Sequence, residues 1–244
     1  MTTIQFDPAI GETLLRYARM IVARGYVHNS LGNLAIRVPH PGFEHGVVYT
    51  KHAEVSLEEM TLENVVITDV ATPALLHGTM PTSVGHNLNR EILRLRPDIG
   101  AVIHAHHDET IALFASGAVK KLRVLSLEFP YVMAKPPYVV PSHLDVEQDV
   151  GPIAEFIQDT NSVIMESHGI TTLGRTLSEA YHRLNTLTSE VRRIMLAEQL
   201  AAGAGTAVHY LRPEAVEWMY RYAESVIYPS RDGTRRPDGG DQRA

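Results

Sequence analysis

Segments with the period of a helix and segments with the period of a strand follow one another along this 244-residue chain without a strict strand-helix-strand alternation. That order favours one layered α/β sandwich over a doubly wound parallel sheet. Apolar residues at Ile10, Leu14, Leu15, Ala18, Ile21 and Val22 recur at three and four, which predicts an opening helix that stops at Arg24-Gly25. Residues 34–38 and 47–50 are β-rich runs separated by Pro39, Pro41, Gly42 and Gly46, a hairpin with a loose loop. Residues 65–68 form a further strand, 88–95 a short helix that ends before Pro97, 100–106 a buried strand and 110–116 a short helix. A strand over 162–165 runs out at His168-Gly169. The longest periodic segment, from Leu177 to Met195, predicts a helix of several turns, and a last helix starts at Pro213 and reaches about Ile227. One domain over 1–228 accounts for these elements. Residues 229–244 have nothing to bury and read as a disordered tail.

Composition narrows the chemistry. The net charge is −6 and the basic residues are scattered, so there is no electrostatic footprint for nucleic acid. Cysteine is absent, which removes disulfides, thiolate nucleophiles and sulfur-ligated metals together. Any transition metal must then be held by histidine and carboxylate. No apolar run is long enough for a membrane helix, and the first residues lack the basic start and apolar block of a signal peptide. The expectation is a cytoplasmic protein without a membrane partner.

Of the 13 histidines, His104 and His106 stand out, because one residue separates them at the end of the apolar run Ala101-Val102-Ile103. The two-residue period of a strand puts both imidazoles on one face and turns His107 to the other. A third imidazole would complete a three-histidine site with an open position, the layout of a catalytic divalent metal. His168 is the candidate, since it also follows an apolar strand and precedes a glycine that permits a tight turn. The competing reading of His104 and His106 is a pair of hydrogen-bonded histidines at a strand end.

Three separated motifs carry a resemblance. Ser30-Leu31-Gly32-Asn33-Leu34-Ala35-Ile36-Arg37, then Arg96-Pro97-Asp98-Ile99-Gly100-Ala101-Val102-Ile103-His104-Ala105-His106, then His168-Gly169 with Gly174-Arg175-Thr176-Leu177-Ser178-Glu179-Ala180 resemble the class II aldolase/adducin family in order and spacing. The resemblance implies a three-layer α/β/α sandwich of the fuculose-phosphate aldolase type. It implies one divalent metal per subunit (zinc, manganese or cobalt) on His104, His106 and His168. A homotetramer with active sites between subunits, acting on a small-molecule substrate, is also implied.

The chain departs from that pattern at two loops. Where the family's sugar-phosphate aldolases carry a Pro-Ser-Ser-Glu-type segment, this chain has Met80-Pro81-Thr82-Ser83-Val84-Gly85-His86. The acidic position falls on or next to Val84 and Gly85, and the family's fourth metal-ligand histidine falls at about Asn89. A second phosphate loop corresponds to Thr50-Lys51-His52-Ala53, which lacks the family's glycine. With no loop carboxylate, proton transfer is expected of His86, Tyr131 or metal-bound water, and substrate binding of Asn33, Thr50, Lys51, Thr82 and Ser83. A base is needed for aldol or epimerase chemistry, whereas decarboxylation needs an electron sink. The expected activity is therefore that of a metal-dependent carbon-carbon lyase decarboxylating a hydroxy-substituted aromatic or heteroaromatic (di)carboxylic acid. The alternatives are an aldolase or epimerase acting on a sugar phosphate or hydroxy-keto acid, and a non-enzymatic module like the adducin head.

Overall fold

The computed structural model describes residues 4–117 and 119–227, so the tail expected at 229–244 lies outside the described residues. Asp7 accepts a hydrogen bond from the backbone N–H of Ala9 and, with Pro8 at the first turn, starts α1 (Pro8–Ala23). Eight strands among the described residues form one sheet: β1 (Asn33–His40), β2 (Phe43–Lys51), β3 (Val65–Asp69), β4 (Leu75–His77), β5 (Ala101–Ala105), β6 (Tyr138–Val140), β7 (Ser162–Met165) and β8 (Gly169–Gly174). Their spatial order is β4-β3-β2-β1-β5-β8-β7-β6, and neighbours are antiparallel except for β6 and β7. The remaining helices are α2 (His86–Leu95), α3 (Asp108–Ala115), α4 (Glu128–Met133), α5 (Ala154–Ile157), α6 (Leu177–Ala204) and α7 (Pro213–Ile227).

Alternation along the strands sorts the core into two clusters, one on each face of the sheet. Leu34, Tyr49, Ile67, Ile103 and Ile170 pack with Leu14 and Ile21 of α1 and with Leu184 and Leu187 of α6. Ala35, Val48, Val102, Val163 and Leu173 face the other way, against Leu88, Ile92 and Leu93 of α2 and Ile157 of α5. Helices on both faces of the sheet make the expected three-layer α/β/α sandwich. The periodic segments appear where the pattern puts them. The long helix runs past Met195 to Ala204 through an alanine-rich stretch of high helix propensity, and stops at Gly205 in the left-handed region.

The Arg96-Pro97-Asp98 segment locks this arrangement. The Arg96 guanidinium donates to both carboxylate oxygens of Asp98 at 2.7 Å, to the carbonyls of Ile157 and Thr160, and to Asn161 Oδ1. One buried side chain thus ties the exit of α2 to the end of α5 and the start of β7. Charge-assisted bonds of this kind are worth more than neutral ones, because a charge left unpaired inside is costly.

Register decides which loops meet. Asn33 at the start of β1 is opposite His104 near the end of β5, and Ala105 is opposite Ile170 at the start of β8. The same pairing rules bring the end of β2, the start of β3, the exit of β4 and the exit of β6 to that end of the sheet. Loops 28–32, 52–56, 78–85, 141–150 and 166–168 therefore open together, around the carboxyl end of β5.

Candidate metal centre

His104 and Val102 lie on one face of β5, the face that α2 covers, and His106 follows just beyond the strand on the same side. The two Nε2 atoms are 3.0 Å apart and the rings meet edge to face, with centroids 4.8 Å apart. His168 arrives from the turn between β7 and β8, with its ring centroid 5.2 Å from His104 and 4.8 Å from His106. This turn is tight because a Cβ at Gly169 would run into the carbonyl of Ala105, so only glycine lets the chain pass beside β5.

One nitrogen from each of the three rings falls within 4.8 Å of the others, the only such cluster of metal-ligating groups among the described residues. Donors about 2.1 Å from a tetrahedral ion are about 3.4 Å apart, so the set suits a small divalent cation. His104 Nδ1 is 3.0 Å from Thr171 Oγ1, its cross-strand neighbour, which orients the ring and leaves Nε2 to face the cluster. Burial, then the neighbouring rings, hold His104 well below the ordinary histidine range. Burial and the neighbouring His168 and His28 lower His106 to about 4, and burial lowers His168. All three rings are neutral near pH 7, the state in which a lone pair is available to a metal.

A carboxylate that the sequence pattern does not reveal stands over this cluster. Glu147, in the loop after β6, places Oε1 3.6 Å from His104 Nε2 and Oε2 3.6 Å from His168 Nε2. Its loop is anchored by the buried Val146 and by Asn87 Nδ2, which donates to the carbonyls of Glu147 and Gln148. Burial, with Asp145 next in size, pushes the Glu147 carboxyl up to about 7.

The other expected site residues divide into two groups. Asn33 is buried beside the cluster, donates to Ser83 Oγ at 3.3 Å and accepts from Asn89 Nδ2, whose own Oδ1 has no partner. Thr82 is half-buried and pairs with His52, so segments 52–53 and 81–83 form one rim at the same end of the sheet.

Thr50 and Lys51, expected to bind substrate, do otherwise. Thr50 is fully buried and donates to the carbonyl of Leu34. Lys51 falls with Tyr49 on the α1 face, opposite the histidines, and its Nζ lies among the carbonyls of Ser30, His52, Ala53 and Val55. Strand alternation overrides the expectation here, because Lys51 is the last residue of β2 and not a loop residue. Burial lowers its ammonium to about 8.

His86 and Tyr131, expected in proton transfer, are not brought to the histidine cluster within this chain. His86 opens α2, is buried, and bonds through Nε2 to Thr68 Oγ1 at 2.8 Å. Burial, with Arg90 beside it, lowers it to about 3, and its Nδ1 has no partner. Tyr131 is exposed on α4 and stacks on Tyr222, beside Arg175 and Glu179, at the far end of β8 from His168. His107 caps α3 through Thr110 on the other face, as its position in the strand period requires.

Comparison with known proteins agrees with this geometry. The model of the class II aldolase and adducin N-terminal domain matches residues 12–193, and the chain belongs to that family. It is 31% identical to an L-fuculose phosphate aldolase of Methanococcus maripaludis over 71% of this chain and 89% of that protein. It is 24% identical to a 3-oxo-tetronate 4-phosphate decarboxylase of Escherichia coli K12, over 78% of this chain and 88% of that protein. Among solved structures, YgbL of Klebsiella pneumoniae superposes with a TM-score of 0.75 at 18% identity, covering 88% of this chain and 100% of that one. These structural neighbours share the sandwich fold.

Proposed function

We propose that this protein is a metal-dependent carbon-carbon lyase whose preferred reaction is decarboxylation of a hydroxy-substituted aromatic or heteroaromatic (di)carboxylic acid. The lyase assignment rests on the convergence of three neutral imidazoles at the carboxyl end of β5, together with relatives named as aldolases and decarboxylases. A substrate that puts no phosphate at the second loop is favoured by one observation. At the loop where the family's aldolases cradle a phosphate, Thr50 and Lys51 are spent on internal carbonyls and leave no side-chain donor of their own for an anion.

In the reaction the bond between the ring carbon and its carboxylate breaks heterolytically. Carbon dioxide leaves, the electron pair stays on carbon, and a proton takes the vacated place. His104, His106 and His168 would hold the divalent ion, zinc, manganese or cobalt, which when bound would supply Lewis acidity for the developing negative charge. The chain supplies position. Asn33, Ser83 and Thr82 offer polar contacts along one rim, and His104 is buried while His106 and His168 stay partly open to solvent, which leaves the substrate a way in. Tyr131 reaches a site of this kind only from a second copy of the chain. A homotetramer with active sites between subunits fits its exposure and that of Trp218 and Tyr222.

Aldol cleavage of a sugar phosphate or hydroxy-keto acid is the second reading, favoured by the name of the relative from Methanococcus maripaludis and by a carboxyl group beside the cluster. The test combines metal content of protein purified without a tag, wild type beside His104→Ala, with a carbon dioxide release screen on hydroxy-aromatic dicarboxylates. One metal per chain in the wild type, lost in the variant, with carbon dioxide released, is the expected result. Metal without release, but with aldol cleavage of a sugar phosphate, replaces the first reading by the second. Protein that binds no divalent metal refutes both.

A further inference from the structure

We propose that Glu147 is the carboxylate of this metal centre, a fourth side chain directed at the ion, and that Gly85 is the clearance that admits it. The inference rests on the metal-centre reading above and adds to it a residue from a different loop.

Three observations carry it. First, each oxygen of Glu147 is 3.6 Å from the Nε2 of a different ring of the cluster, close to the separation of about 3.4 Å expected between donors of one tetrahedral ion. A carboxylate that only packed against the histidines would have no reason to divide its two oxygens between them. Second, a Cβ built on Gly85 would overlap Glu147 Oε1, and would lie 2.8 Å from Asn33 Nδ2 and 3.1 Å from Glu147 Cδ. The Glu147 carboxyl thus fills the space that any side chain at Gly85 would need. That position is on or next to the one where the resembling aldolases carry their loop glutamate. Third, the Glu147 loop is held in place by a buried valine and by both carbonyls that Asn87 engages, so the carboxyl is positioned and not merely nearby.

The experiment measures Co2+ binding to the full chain, by calorimetry and by the visible absorption of the bound ion, for wild type, Glu147→Gln, Gly85→Ala, the double variant and His104→Ala. Thermal melting of each metal-free protein checks that it folds. Glu147→Gln is expected to weaken Co2+ by 10-fold to 100-fold and to alter the absorption band, as loss of a ligand or of its support does elsewhere. Gly85→Ala, which expels the carboxylate, is expected to weaken it comparably, and the double variant no further, since both changes remove one interaction. Wild-type affinity and spectrum in a folded Glu147→Gln, with binding lost in His104→Ala, overturns the role of Glu147 and leaves the histidine site standing. Unchanged binding in both overturns the histidine site, and this inference with it. Should Gly85→Ala fail to fold, the isosteric Glu147→Gln decides alone.

Discussion

Glu147 should make the metal-free protein less stable as pH rises, and the size of the effect follows from its surroundings. In the unfolded chain the carboxyl ionises near 4.5, whereas in the folded chain burial and Asp145 keep the proton on until about 7. Between these values the folded state binds more protons than the unfolded one, so stability falls with rising pH. The contribution is fully present below 4.5 and is lost as pH passes through 7. At 1.36 kcal/mol per pH unit, moving a carboxyl over this interval is worth about 3 kcal/mol. Glu147→Gln keeps the shape and removes the titration. With a chelator present, urea unfolding of wild type and variant should agree near pH 4.5, and the variant should be more stable by about 3 kcal/mol at pH 8. The depressed histidines act in the opposite sense, destabilising the fold as pH drops below 6.5, but they are common to both proteins and largely cancel in the difference. Saturation with Co2+ should narrow the gap at pH 8 by about 1.4–2.7 kcal/mol, the equivalent of the 10-fold to 100-fold difference in affinity, because a ligand stabilises more the protein that binds it more tightly. A difference flat to within about 0.5 kcal/mol between pH 5 and 8 would refute the reasoning, since 3 kcal/mol is what burial of this charge demands.

Other substitutions probe the supports of the site. Lys51→Met leaves four inward carbonyls without their shared donor and should cost about 2–4 kcal/mol in urea unfolding at pH 7; a loss below about 0.5 kcal/mol would show that water replaces the ammonium. Thr171→Val removes the partner of His104 Nδ1 and should weaken metal about 10-fold in a chelator competition while the melting temperature of the metal-free protein barely moves; equal affinity would mean the ring is oriented by packing alone. In Gly169→Ala the new methyl meets the Ala105 carbonyl, so metal stoichiometry should drop and stability fall by about 1–3 kcal/mol; full occupancy would show that the turn yields without moving His168.

Much of this site was legible because it follows the strand period. His104 and His106 share a face for the same reason that Val102 lies between Ala101 and Ile103, and His168 follows a strand that pairs one place away from β5. The short elements were not legible. β8, Gly-Ile-Thr-Thr-Leu-Gly, carries too few apolar residues for a pattern, and β4 and β6 are three residues each. Lys51 looked like a loop cation because nothing local marks where β2 ends, yet the alternation begun at Val47 and Tyr49 already turns it inward. His86 lies in the segment that matches the family's acidic loop, but as the first residue of a helix its direction is set by α2, which aims it at Thr68. Glu147 has two acidic neighbours, Asp145 and Asp149, and no periodicity to distinguish it. Its signal was negative and lay elsewhere: a glycine at 85, where a side chain was expected.

The ladder that joins β5 to β8 carries His104 and delivers His106 and His168 at its open end. Asn33 and Thr171 sit on strands beside His104, whereas Thr82, Ser83 and Glu147 hang from separate loops that the ladder does not need for its own pairing. Such a division of labour lets evolution rewrite selectivity piecemeal, exchanging one loop at a time around a fixed imidazole tripod. It also recommends a route for engineers: graft segments 78–85 or 141–150 between relatives as cassettes, leave the ladder untouched, and screen for new donors reaching the same point in space from a different branch of the chain.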